Sequence, residues 1–367
     1  MTHIRGLILT LALFLLLSPS VQGAQEAVGA QSALPGLEDL ERAAGEYGAD
    51  FQLDESISLD QGLSQLLQTG TDQMFGILRT ALKSSVLLLV IVLFCSLAQG
   101  AADQGSGTFQ AAPIVGVLSV CAVSLTDVHS LMGLGRETIT RLSEFASVLL
   151  PTLVAAAAAG GTPAGAAARQ MATVLFSNLL VQLITTILIP LTYVYVAASA
   201  VHAAVGNKGL QRMGKTLKGA IKGVLTAVMM AFVGYLTFSG VIAGTTDAIT
   251  VKTAKFAISG AVPVVGKVLS DAAETVLVSA GILRNTVGIF GTLVILGICL
   301  IPFLRMSVHY LVYKLTSALA ATVWDGGVVD LIDAISGAFA LELGMTACCG
   351  MMLLFCVISC LSAAGVA

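Results

Sequence analysis

The sequence predicts an all-α, polytopic membrane protein of about seven or eight spans, preceded by a signal peptide. Three observations predict it. Apolar residues make up 56% of the 367 positions and charged residues only 11%, whereas soluble domains carry about 25% charged residues. The mean hydropathy is +0.94, and the surplus falls in runs that approach the ~20 apolar residues a spanning helix needs. The alternation expected of membrane β-strands is absent. The net charge of −3 says little about partners, because the placement of charges decides that.

Residues 1–23 read as a secretory signal peptide. His3 and Arg5 form a basic start, "LILTLALFLLL" an apolar core, and Val21 and Gly23 offer small residues before a cut. An uncleaved anchor is the alternative, and both place the following segment outside the cytoplasm. Residues 24–83 are acidic and free of cysteine, with Leu34, Leu37, Leu40, Leu63, Leu66 and Leu67 at helical spacing. That segment is too poor in apolar residues for a core of its own. It reads as helices that dock on the membrane domain or on a partner.

The membrane domain, 84–367, holds the apolar runs 84–102, 112–135, 145–161, 171–205, 219–244, 286–320 and 334–365. Two of them, 171–205 and 286–320, would each reach about 50 Å as one helix, beyond the ~30 Å hydrocarbon core. Pro190 and Pro302 lie inside them and are candidate helix breaks. The loop 206–222 carries Lys208, Arg212, Lys215, Lys218 and Lys222 and no acid, which makes it cytoplasmic by the positive-inside rule. An odd number of crossings must then precede it, which favours two passes around Pro190.

Motifs for chemistry fail one after another. "GLQRMGKT" at 209–216 matches the phosphate-loop pattern. A working loop needs a strand before it and an α/β sheet around it; here apolar spans flank it, so a chance match in a basic topogenic loop is the better reading. The histidines His3, His129, His202 and His309 are scattered. Asp127 and His129 suit an interfacial pair better than a catalytic one, and Ser239 has no histidine in its own span. Cys95, Cys121, Cys299, Cys348, Cys349, Cys356 and Cys360 all lie in apolar runs, with no C-x-x-C pair, and read as packing residues. No enzyme activity, cofactor, metal or nucleic-acid partner is expected. Arg305 and Glu342 are the main charges inside spans, and a pairing between them is expected.

The segment 244–285 is too polar to span plainly and too apolar for a solvated loop. From Val264 to Leu283 it has the pattern of an amphipathic helix. Lys267, Asp271 and Glu274 form one stripe and Val265, Val268, Leu269, Val276 and Leu277 the other. Asp247, Lys252 and Lys255 lie upstream. Three readings stay open: a helix along the membrane surface, a cavity-lining or re-entrant helix, and a docking face for a partner.

"TDAITVKTAKF", "PVVGKVLSDAAETVLVSAGILRNTVGIFG" and "VYKLTSALA" resemble the stage III sporulation protein AE family of endospore-forming bacteria. The likeness is densest from Thr246 to Gly291 and covers most of the membrane domain. The resemblance implies a permease-like subunit of a multi-protein complex in the mother-cell membrane that surrounds the forespore. It implies a secretion-like or feeding role in forespore integrity and late forespore gene expression. The implied partners are a separate ATPase, ring-forming subunits, small membrane subunits and the lipid bilayer. A conducting subunit, a non-conducting scaffold that seats the ATPase and rings, and a stand-alone secondary transporter are the three functions this leaves.

Overall fold

The computed structural model describes residues 37–46, 59–102, 111–159, 163–261, 266–324 and 326–362, of which 239–284, among others, by backbone course alone. Among the described residues the secondary structure is helical apart from 206–207, 324 and 326. The helices are α1 (Leu37–Glu46), α2 (Leu59–Ala102), α3 (Ala111–Ala159), α4 (Pro163–Leu183), α5 (Ile189–Val205), α6 (Lys208–Ala261), α7 (Gly266–Val323) and α8 (Gly327–Ser362). A π-helical turn, Ile184–Leu188, joins α4 to α5. Six stretches are long and apolar enough to cross a membrane: Leu59–Gly100, Ile114–Ala156, Thr173–Val205, Lys208–Phe238, Asn285–Val323 and Gly327–Ser359. The signal-peptide stretch 1–23 lies outside the described residues.

The six differ from the expected runs in informative places. Run 112–135 and run 145–161 as far as Ala159 belong to the single 49-residue helix α3, about 73 Å long at 1.5 Å per residue. The polar stretch between them, "LGRETITRLSE", continues the helix because its apolar members face inward; Leu134, Thr138, Ile139 and Leu142 are buried or half-buried. The two-pass reading around Pro190 is not what the structure shows, since 163–205 runs helical without reversal. Pro302 likewise lies inside α7 and does not end it. Neighbouring helices can re-satisfy the backbone group a proline frees, so proline in an apolar run predicts a local defect better than a chain reversal.

Where the chain does reverse, the local sequence dictates it. Gly206 adopts φ 72, the left-handed conformation that closes helices and that glycine tolerates without a Cβ penalty. Its N–H donates to His202 O at 2.7 Å. Asn207 then starts α6, its Oδ1 accepting from Gly209 N at 2.8 Å, as an asparagine cap does. The basic "loop" is thus two residues long, and Lys208, Arg212, Lys215, Lys218 and Lys222 occupy the first turns of α6.

The core forms around α8, which packs on α3, α4, α5, α6 and α7. Phe339, Leu331, Ile332, Met345 and Cys356 on it are fully buried. Aromatic edges lock it to α7: the Tyr313 and Phe339 rings meet edge-on with centroids 5.1 Å apart, a favoured arrangement. The opposite surface of the bundle is apolar and exposed, as at Phe94, Leu97, Leu175, Met230, Phe238 and Leu315. A soluble protein seldom exposes so much apolar surface, whereas lipid solvates it.

Candidate functional site

Glycine at 135 on α3 makes room for a carboxylate. A Cβ at that position would stand 1.8 Å from Glu342 Oε1, 2.6 Å from its Cδ and 2.8 Å from its Cγ, so the Glu342 side chain lies flat against the α3 backbone. Glu342 is 0% exposed, and among the described residues it is the one fully buried acid or base. Among the described residues neither of its oxygens has a hydrogen-bond partner. Buried charges are ordinarily paired, so a lone carboxylate in the core marks a site rather than a packing choice.

The surroundings come from three segments. Arg136, next to Gly135, is the cation that interacts electrostatically with Glu342. Its Nη2 reaches across to Thr185 O on the π turn at 3.4 Å. The π register explains why that carbonyl is free. Ile189 N–H bonds back five residues to Ile184 O, and the next donor in that register would be Pro190, which has no N–H. Thr185 O is therefore left without its helical partner, and Arg136 takes it. Tyr193, one turn beyond Pro190, also interacts with both Arg136 and Glu342. Gly135, Ile189 and Leu343 are the middle residues of their respective candidate spans, so the three segments meet at mid-length.

The expected pairing of Glu342 with Arg305 is not formed, because Glu342 has no bonded partner and Arg305 is exposed on α7. Asp127 does not pair with His129 either. It accepts a hydrogen bond from Tyr313 Oη at 2.7 Å, while His129 points outward. Helical geometry accounts for this: residues two apart do not face each other.

A second feature was hidden by reading α3 as two spans. Thr126, His129, Ser130, Gly133, Glu137, Thr140, Arg141, Glu144 and Ser147 are all exposed and follow one helix face. Val128, Met132, Ile139, Leu142, Phe145 and Leu149 form the buried face opposite. Arg141 Nη2 pairs with Glu137 Oε1 at 2.6 Å. The polar face runs about 32 Å along the axis, close to the ~30 Å of a hydrocarbon core. By contrast, the stretch of α2 beyond Lys83 exposes Val86, Leu87, Val90, Leu93, Phe94 and Leu97, and the last turns of α7 expose Leu311, Leu315 and Leu319.

The phosphate-loop match resolves plainly. Gly209 to Thr216 lie within α6, so their N–H groups serve the helix and its cap rather than a phosphate cradle. Lys208, Arg212, Lys215 and Lys222 are exposed. Lys218 is half-buried, its Nζ 5.9 Å from the centroid of the Tyr195 ring in a cation–π contact. Lys215→Ala is therefore expected to leave stability within about 0.5 kcal/mol of wild type, as exposed surface substitutions do; thermal unfolding in detergent checks it.

Asp247, Lys252 and Lys255 lie on the C-terminal part of α6, and Lys267, Asp271 and Glu274 on the first turns of α7. Their side chains, and hence the predicted stripe, lie outside the described residues. No cluster of three metal-ligating side chains occurs among the described residues. The described cysteines are buried or half-buried and unbridged.

The family model described as stage III sporulation protein AE matches residues 52–365. The stage III sporulation protein AE of Bacillus subtilis (strain 168) is 28% identical over 252 residues, 68% of this chain and 63% of that protein. The alignment thus spans less than two thirds of the curated relative. No solved structure matches.

Proposed function

The chain belongs to the stage III sporulation protein AE family, and on that premise we propose that it is a conducting membrane subunit of a secretion-like complex joining mother cell and forespore. In this reading it sits in the mother-cell membrane around the forespore and supports forespore development and late forespore gene expression. Its partners are the complex's ATPase, its ring-forming subunits and its small membrane subunits. Six stretches capable of crossing a membrane support the placement in a bilayer.

The observation that carries the conducting role is the polar face of α3. Exposed Glu137, Arg141 and Glu144 are costly against lipid and need water or another polar surface. A water-filled path between this chain and a neighbouring subunit supplies it. Lys267, Asp271 and Glu274 are proposed as a second polar lining of the same path, with Asp247, Lys252 and Lys255 at its edge.

Single cysteines at Glu137, Arg141 and Glu144, in a functional background stripped of native cysteines, test this in sporulating cells. A polar thiol reagent is expected to label all three and to cut forespore reporter expression at least tenfold. Labelling without loss of expression would place the face in bulk water outside any path. No labelling, with charge removal still blocking sporulation, would make the face a docking surface and the subunit a scaffold.

A further inference from the structure

We propose that Glu342 is a proton-binding site, and that its protonation sets whether Arg136 holds the π turn between α4 and α5. The inference rests on the geometry of the junction and stands whether or not the subunit conducts. The Glu342 carboxyl is fully buried and without a hydrogen-bond partner. An ionised carboxylate in such surroundings is strongly disfavoured, whereas the neutral acid is tolerated. In this proposal the arrangement described here is the proton-loaded one. Arg136 is free in it to donate to Thr185 O.

Among the described residues, three charged or titratable groups interact with Glu342. From α3 comes Arg136, from α5 the Tyr193 hydroxyl, and from α8 itself the Cys349 thiol. Of these, Arg136 carries the permanent charge. When the proton leaves, the carboxylate gains a negative charge and Arg136 is the cation able to meet it. Moving there takes Arg136 off Thr185 O. That carbonyl then has no donor, because Pro190 cannot supply one, and the π turn loses the contact that completes it. Proton occupancy is so converted into the state of the helix defect, in the way an interrupted helix couples an ion to backbone geometry. A metal cation fits less well, since it needs several oxygen ligands and no ligand cluster occurs among the described residues.

Infrared spectroscopy of the purified full chain in detergent reads the proton directly. The wild type is expected to show a protonated-carboxyl stretch at neutral pH that Glu342→Gln lacks. Raising the pH should remove the band reversibly while carboxylate bands appear. Arg136→Gln should move that loss to more alkaline pH, because the cation that favours the charged form is gone. Should Glu342→Gln not fold, a hydrophobic carbodiimide added to the wild type assigns the band: its adduct, mapped by mass spectrometry, should fall on Glu342 and not on the exposed Glu137 or Glu144. Absence of the band at neutral pH would overturn the proposal. So would a band that persists at every pH where the protein stays folded, or one that Arg136→Gln leaves in place.

Discussion

Gly327→Val is expected to strip most of the folded protein from the membrane. Gly327 opens α8, and a Cβ there would lie 2.3 Å from Ala203 O, 2.8 Å from its Cα and 2.9 Å from its carbonyl carbon. All three are backbone atoms of α5, whose course is fixed a few residues later by Gly206. A side chain could rotate away; a helix backbone cannot. The first turn of α8 would have to lift, and Val328, Leu331 and Ile332, all buried behind it, would lift with it. Overpacking of this kind costs about 3 kcal/mol, a large share of the 5–15 kcal/mol that holds a typical domain together. The thermal midpoint in detergent and the monodisperse fraction on size exclusion measure it. Gly223→Ala is the control: a Cβ there meets nothing within 4 Å, and alanine is the better helix former by about 1 kcal/mol. Equal behaviour of the two variants would show that α8 does not seat on α5 as described.

The helical membrane class was legible from composition and run length alone, and the family from a string of residues around 246–291. Helix continuity was less legible. Apolar runs mark which residues avoid water, not where a chain turns. In α3 the polar stretch after Gly135 looked like a connector, yet Glu137, Thr140, Arg141 and Glu144 fall on one exposed face of an unbroken helix. A periodicity count across 126–147 would have found this, since charged residues at i and i+4 such as Glu137 and Arg141 are a helix signal. Pro190 misled in the same direction. Its cost is absorbed locally by a π turn and by an arginine from another helix, and no sequence rule links residue 136 to residue 185. Glu342 was conspicuous as an acid within a span. Its neighbour was not, because what identifies the pair is a missing side chain at Gly135 and tertiary packing that brings α3 against α8.

That missing side chain yields a test in which folding and function separate. Gly135→Ala alone is expected to destabilise the protein by about 2–3 kcal/mol, since a methyl group 1.8 Å from Glu342 Oε1 must displace a carboxyl that is enclosed on all sides. Glu342→Ala alone leaves a cavity, but it also removes an unsatisfied buried acid, so its net cost should be smaller, about 1 kcal/mol. Combined, the two changes are not additive. The alanine methyl at 135 fills part of the space the glutamate vacated, and α3 gains a better helix former. The double variant should be at least as stable as Glu342→Ala, with a coupling of about 2 kcal/mol, within the range seen for residues in direct contact. Sporulation should not recover with stability. If Glu342 were only a packing residue, the refolded double variant would restore spore yield as well. If it carries a proton, the double variant accumulates in the membrane, folds, and still fails to support forespore development. Thermal unfolding in detergent gives the coupling, and heat-resistant spore counts at matched protein level give the function; additive stabilities would remove the contact between Gly135 and Glu342 on which the junction depends.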